Sequence, residues 1–242
     1  MITIKGLTKK YGRRSILDNI DLEIPAGQKL AVIGPSGCGK STLLRLITRL
    51  SEPTRGSIFI NGTDICRLKD DDLMQVRRGI GMVFQSSALF DSMNVYENVA
   101  FGLRQNNSLS EEVIKRKVAE KLKMVDLEGT ERLSTGELSG GMQKRVSLAR
   151  AIAADPSIIL YDEPTTGLDP ITSTTIEDLI NKLTRELKAT AIIVTHQLST
   201  IFRTSDRIVM LHEGKFIETG NIEQTKNTNN PIVRNFIKGG LP

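Results

Sequence analysis

The chain has 242 residues, 39% hydrophobic and 25% charged, with a formal net charge of +5. That length can bury one large domain or a domain with a subdomain, and the composition is ordinary for a soluble globular protein. Apolar runs last only a few residues, far short of the roughly 18–20 of a membrane span, so no spanning helix is expected. The opening residues Met1 to Gly12 contain no apolar signal-peptide core, which predicts a cytosolic protein. The two cysteines, Cys38 and Cys66, fit reduced thiols better than a structural disulfide. No block of Lys and Arg stands out, so the positive charge reads as solvated surface and no nucleic-acid partner is expected.

Ile2 to Leu7 and Ile16 to Ile24 alternate apolar and polar side chains, as half-buried strands do. After the turn Pro25-Ala26-Gly27, Gln28 to Ile33 reads as a buried strand. It runs into Gly34-Pro35-Ser36-Gly37-Cys38-Gly39-Lys40-Ser41-Thr42, which fits the phosphate-loop pattern G-x-x-x-x-G-K-[ST]. Glycines let backbone N–H groups point at phosphate oxygens, and the helix that begins here adds the positive end of its dipole. Lys40 supplies a point charge for the β- and γ-phosphates, and the Ser41 hydroxyl suits Mg²⁺. Leu43, Leu44, Leu46, Ile47 and Leu50 follow at helical spacing, so a chance glycine turn explains the stretch poorly. The loop implies a nucleoside triphosphate bound with Mg²⁺. Upstream, Tyr11 has a ring that can stack on a base; taken alone, packing within a small antiparallel region explains it better.

Ser57 to Ile60 reads as a strand ending in the turn Asn61-Gly62, and Ile80 to Phe84 as a compact apolar strand ending at Gln85. Asn94 and Glu97 have the spacing of a capping box for a helix whose Val95, Val99 and Leu103 share one face. Gln105 to Glu137 is polar and Lys/Glu-rich, with apolar residues at helical spacing after the cap Ser110, which predicts a helical insertion into an α/β core. Leu138-Ser139-Gly140-Gly141-Met142 then opens a helix running to about Asp155, ended by Pro156. The bare glycine N-terminus behind Ser139 is an anion site or an ordinary cap, with equal standing.

Ile158 to Glu163 reads as a buried strand ending in two carboxylates. Asp162 can hold Mg²⁺ and Glu163 can polarise a water, against the plain alternative of a charged loop. Asp169 and Pro170 begin another helix as cap and first residue. Ala191 to Val194 is a further buried strand, ending at Thr195-His196. His196 can reach a γ-phosphate, although a lone His is more often structural, as His212 is expected to be. In the tail, Ile232, Val233, Phe236 and Ile237 form a short apolar face that packs on its own domain or docks a partner, the first reading being slightly favoured.

Each signal after the phosphate loop is weak singly, but Tyr11, the phosphate loop, Gln85, LSGGM, IILYDE, Gly167-Leu168-Asp169 and His196 stand in the order of ATP-binding cassette (ABC) ATPases. The resemblance covers Met1 to about Gly220. It implies an α/β P-loop NTPase fold of the ABC type: a mainly parallel core sheet, a small antiparallel β region and a helical subdomain carrying the signature. The subdomain would span about residues 86–155 within an ATPase domain of residues 1–226, followed by an extension at 227–242. The resemblance implies that Tyr11 stacks on the adenine of ATP and that Gly34 to Thr42 hold its phosphates. Ser41, Gln85 and Asp162 would surround Mg²⁺, Glu163 would be the general base, and His196 the switch histidine, with Lys40 and Gln85 also serving catalysis. Ser139, Gly140 and Gly141 of a second copy would cap the γ-phosphate, so a head-to-tail dimer with two ATP sites is expected. Met142 departs from the family's usual Gln and cannot replace its hydrogen bonds.

Phe84 to Arg104, with LSGGM and Gly167 to Thr172, is similar to the ATPases of Mla-type phospholipid transporters, and the tail from Pro231 to Gly240 is similar to that group's extension. This implies an ATPase that powers phospholipid transport between membranes through an integral membrane permease, at the inner face of the inner membrane. An MCE-domain lipid-binding protein is a candidate further partner. Ala88-Leu89-Phe90 and Met93 would line the groove that meets the permease. The ATPase of a polar amino-acid importer, sharing nearly every core motif, is the alternative. A soluble non-transport ABC ATPase fits less, because such proteins usually carry two cassettes or coiled-coil or zinc insertions. A GTPase would need an N-K-x-D motif, which the chain lacks.

Overall fold

The computed structural model describes residues 1–105 and 109–239; residues 106–108 of the expected insertion and 240–242 of the expected extension lie outside them. The chain begins with a hairpin of β1 (Ile2–Tyr11) and β2 (Arg14–Ile24). Then β3 (Lys29–Ile33) leads through the phosphate loop into α1 (Lys40–Ile47). Next come β4 (Arg55–Ile60), β5 (Thr63–Asp64), α2 (Asp70–Arg78) and β6 (Ile80–Val83). Three helices, α3 (Val95–Arg104), α4 (Glu111–Met124) and α5 (Gly140–Ala151), stand between β6 and β7 (Ile158–Asp162). The described chain finishes with α6 (Pro170–Glu186), β8 (Thr190–Val194), α7 (Leu198–Thr204), β9 (Arg207–His212), β10 (Lys215–Gly220), α8 (Ile222–Lys226) and α9 (Pro231–Ile237).

The strands form two sheets. One is antiparallel, in the order β2-β1-β4-β5; the other, in the order β10-β9-β3-β8-β7-β6, is parallel except for β10. The parallel strands are short apolar runs because both of their faces are covered. In β7, Ile159 and Tyr161 face the helical core with α3 to α6, while Ile158 and Leu160 face α1 and the antiparallel sheet. β8 divides in the same way, with Ala191 and Ile193 on one side and Ile192 and Val194 on the other.

The caps read from the sequence hold. Asn94 and Glu97 form a reciprocal capping box at α3, Ser110 accepts from Val113 N at α4, and Asp169 accepts from Ile171 N and Thr172 N at α6. The helix after the signature ends at Ala151 rather than near Asp155. The tail helix α9 buries Val233 and Phe236 against Ile201, Met210, Ala31 and Ile33, on its own domain. Helix α2 is an element beyond those expected from the sequence, and its signal is electrostatic: Asp70, Asp71 and Asp72 fill its first turn and Arg77 and Arg78 its last, each complementing the helix dipole.

Candidate functional site

Parallel register brings the ends of three strands to one edge. Val194 of β8 stands opposite Val32 of β3 and also opposite Asp162 of β7. Three segments therefore converge: the phosphate loop after β3, Glu163 after β7, and Thr195-His196 after β8. Open α/β sheets place their ligands at such an edge. A cavity of about 260 Å³ lies there, lined by residues that include Ser36, Gly37, Gly39, Lys40, Ser41, Thr42, Gln85, Glu163 and His196.

The loop is fixed by its glycines. Gly34 has φ 146°, and a Cβ there would lie 2.4 Å from the Leu211 carbonyl oxygen. Lys40 is buried; its ammonium donates to the carbonyls of Gly34 at 2.8 Å and Pro35 at 3.1 Å and stands 3.9 Å from Glu163 Oε1. The Ser41 hydroxyl donates to Asp162 Oδ1 at 2.8 Å. Burial pushes the Asp162 carboxyl above its ordinary range, the Ser41 hydrogen bond opposes this, and the charge of Glu163 adds to it. Burial also raises the Cys38 thiol, against the pull of the Lys40 charge, so the neutral thiol is favoured.

Glu163 is held from several sides. Its φ of 48° places a non-glycine residue in the left-handed region, the kind of local strain that aims functional side chains. Its N–H donates to Val194 O at 2.9 Å. Its Oε2 accepts from Thr195 Oγ1 at 3.1 Å and from Thr166 Oγ1 at 3.2 Å, and its Oε1 lies 3.0 Å from His196 Nδ1.

Gln85 is tied to the signature helix. Its carbonyl accepts from Lys144 Nζ of α5, a buried ammonium. Burial lowers the Lys144 pKa, and the charges of Asp162 and Glu163 oppose that shift. Two residues on, Ser87 and Ala88 both have positive φ, and their carbonyls accept from Arg150 of α5 at 2.8 and 2.6 Å. The sequence offers no signal for these two cations, because α5 also carries Gln143, Arg145 and Ser147 and no spacing sets Lys144 and Arg150 apart.

Two expected groups lie elsewhere. Tyr11 ends β1, half-exposed, with Lys9 Nζ 4.7 Å from its ring centre; the cavity wall on that side is Ile16 and Arg14, the latter Tyr11's register partner. Ser139, Gly140 and Gly141 line a separate hollow of about 450 Å³ with the segment Gly167 to Asp169. Ser139 Oγ caps α5 by accepting from Met142 N at 3.3 Å, and a Cβ on Gly141 would meet Thr172 Cγ2 at 2.8 Å. Met142 packs against the helical core, while Gln143 Nε2 donates to the Thr135 and Leu138 carbonyls.

The family described as ABC transporter matches residues 17–166. The chain is 43% identical, over 99% of its own length and 90% of the relative's, to the intermembrane phospholipid transport system ATP-binding protein MlaF of Haemophilus influenzae. It is 42% identical to the chloroplastic protein TRIGALACTOSYLDIACYLGLYCEROL 3 of Arabidopsis thaliana, over 100% of this chain and 74% of the relative. To the methionine import ATP-binding protein MetN of Haemophilus ducreyi it is 38% identical, over 98% and 70%. Its fold matches MJ0796, an ATP-binding cassette solved as a dimer in a post-hydrolysis state with ADP and Pi, with a TM-score of 0.81 at 37% identity over 90% of this chain and 98% of that one. The phosphate loop, the paired carboxylates and the signature helix thus stand in a chain that belongs to the ABC transporter family.

Proposed function

We propose that this chain hydrolyses ATP to power phospholipid transport between membranes, as the ATP-binding subunit of an Mla-like complex. The observation that carries this reading is the 43% identity with MlaF across nearly the whole chain, joined to a site able to run the chemistry. The methionine-import relative, at 38%, keeps polar amino-acid import as the second reading.

In this reading the N–H groups of Ser36 to Thr42 and the Lys40 ammonium bind the phosphates. Glu163 takes the proton of the attacking water, and His196 and the hydroxyls of Thr195 and Thr166 fix its carboxylate. Ser41 Oγ and Asp162 Oδ1 are hard oxygen donors 2.8 Å apart, and with Gln85, which lines the cavity as Ser41 does, they suit Mg²⁺. Among the described residues no group of three or more His, Cys, Asp and Glu side chains can hold a metal by itself, which fits an ion that takes its remaining ligands from phosphate and water. When bound, the ion neutralises charge on the phosphates. Ile16 and Arg14 would face the adenine from the cavity wall, with Tyr11 beyond them as the register partner of Arg14.

Ser139 to Gly141 lie outside the ATP cavity, so they serve it only from a second copy placed head to tail; MJ0796, which is dimeric, supports that arrangement. The permease would dock beside the Gln85 loop. There Phe90 and Phe101 are exposed, with ring centres 4.7 Å apart and planes tilted by 45°, and Arg150, over the Phe90 ring, also lines a hollow with Met74, Met82 and Gly102. No helix among the described residues is long and apolar enough to cross a membrane, which suits a subunit held at the inner face of the inner membrane by its permease, with an MCE-domain protein beyond it. Purification from membranes with the accompanying proteins tests the reading. Phospholipid and an MCE-domain protein should come along; a periplasmic amino-acid-binding protein in their place would overturn it.

A further inference from the structure

Glu177, in the middle of α6, is 1% exposed although it carries a carboxylate. Its Oε2 pairs with Arg203 Nε of α7 at 2.8 Å, and its Oε1 accepts from the Thr200 hydroxyl at 2.8 Å. Thr200 Oγ1 is 2.8 Å from Thr165 Oγ1, which in turn is 2.6 Å from Gln197 Oε1. Both threonines are fully buried. Thr165 follows Glu163 by two residues, and Gln197 directly follows His196. The backbone N–H of Gln197 donates to Thr195 Oγ1 at 3.1 Å, and that hydroxyl donates to Glu163 Oε2. A buried line of polar groups thus runs from α6 into both segments that carry the proposed base and its histidine.

Counting protons gives the line a direction. Two threonine hydroxyls supply two protons for three contacts. The Glu177 carboxylate, paired with Arg203, only accepts, so it takes the Thr200 proton. Thr200 must then accept from Thr165, and Thr165 is left to accept from Gln197. Proton counting thus assigns the Gln197 amide the reverse of its placed orientation, with the NH2 rather than Oε1 toward Thr165, a half-turn about one soft terminal torsion. With that turn every contact has one donor and one acceptor, as buried polar groups require.

We propose that Glu177 is a positioning residue for ATP hydrolysis: through Thr200 and Thr165 it orients the Gln197 amide, and with it the turn that sets Thr195 and His196 against Glu163. A buried ion pair kept only for stability needs Arg203 on one carboxylate oxygen and one donor, Thr200, on the other; the continuation through Thr165 to Gln197 goes beyond that need. The inference rests on the ATPase reading.

The test compares Thr200→Val with Thr200→Ser in the full chain, reading kcat, the Kd of ATP, and hydrogen exchange of the ¹⁵N-labelled Gln197 side-chain amide. Thr200→Val should lower kcat about tenfold, hold the Kd within about twofold and speed Gln197 amide exchange about tenfold, and Thr200→Ser should restore both kcat and exchange. Thr165→Val should act the same way from the other end, and the double variant should be no worse than either single one. Unchanged Gln197 exchange in both valine variants would overturn the relay, as would a kcat loss matched by an equal loss of ATP affinity. If the unaltered chain fails to hydrolyse ATP, the ATPase reading falls, and the amide exchange still decides whether the relay exists.

Discussion

His196 Nδ1 lies 3.0 Å from Glu163 Oε1, so the histidine just past β8 holds the carboxylate just past β7. Lys40 stands 3.9 Å from the same oxygen, and two threonine hydroxyls occupy the other. A carboxylate oriented from so many sides is built to meet a reactant in one geometry. Replacing Glu163 by Gln keeps the shape and most of these contacts while removing the proposed base. ATP affinity should stay within about threefold, turnover should fall at least about a hundredfold, and the ATP-bound dimer should persist on gel filtration. Turnover within about threefold of the unaltered chain would remove Glu163 from the role of base.

Ser139 offers a way to separate stability from catalysis in the second hollow. Its hydroxyl caps α5 at Met142 N, so Ser139→Ala should cost about 1 kcal/mol in urea unfolding. ATP affinity of a single chain should not change, because the hollow is separate from the cavity of Lys40 and Glu163. Turnover, which in the proposed head-to-tail dimer draws on Ser139 of the second copy, should fall at least about tenfold. Loss of ATP affinity in the monomer would place Ser139 in its own chain's site and undo the head-to-tail arrangement.

Much of this was legible in the sequence, for reasons that differ by residue. The loop Gly34 to Thr42 announces itself because close backbone approach to phosphate demands glycine, and the caps Asn94, Ser110 and Asp169 because orphan N–H groups demand short polar side chains. The side chains that position the site were silent. Lys144, Thr195, Thr165 and Thr200 reach it through tertiary packing, and a lone threonine or lysine in a strand end or helix carries no spacing rule. Arg14 and Ile16 reach the cavity only because β2 pairs with β1 beside the phosphate loop. Tyr11 is the reverse case: the motif order singled it out, yet it stands outside the cavity wall.

The loop after α5 gives a prediction with a pH dependence. Lys121 is buried and its ammonium meets Asp155 at 2.5 Å and Glu120 at 2.7 Å, while Lys117 meets Asp155 at 2.5 Å. Burial pushes the Asp155 carboxyl up, but the hydrogen bonds from Lys117 and Lys121 outweigh it and hold the carboxyl below 3.8. Burial pushes Lys121 down, but Asp155 and Glu120 outweigh it and hold the ammonium above 10.5. A depressed carboxyl stabilises the fold above its ordinary value and loses that contribution as pH falls through the folded value; a raised ammonium loses its contribution only as pH rises beyond 10.5. Because the Asp155 side chain is 43% exposed and its ion pairs are screened by water, Asp155→Asn should cost no more than about 1 kcal/mol across neutral pH. Urea midpoints should show the gap closing in acid, below the ordinary Asp value of 3.8. A gap that is constant down to full protonation would mean that charge has no part in it.

The tail helix decides a question of architecture. Val233 is fully buried and Phe236 is 7% exposed, packed with Ile201 of α7 and with Ala31 and Ile33 of β3. Those neighbours matter because α7 comes directly after the His196 segment and β3 leads into the phosphate loop, so α9 braces both sides of the site from behind. Truncating Phe236 to Ala should cost about 3 kcal/mol by loss of buried surface and the cavity left behind, and should lower the melting temperature of the isolated chain by roughly 6–12 °C. ATP-driven dimerisation should survive, since the helix packs on its own domain. If the isolated chain melts unchanged while the dimer dissociates, the helix works across the dimer instead, and its packing against Ile201 is not what holds it.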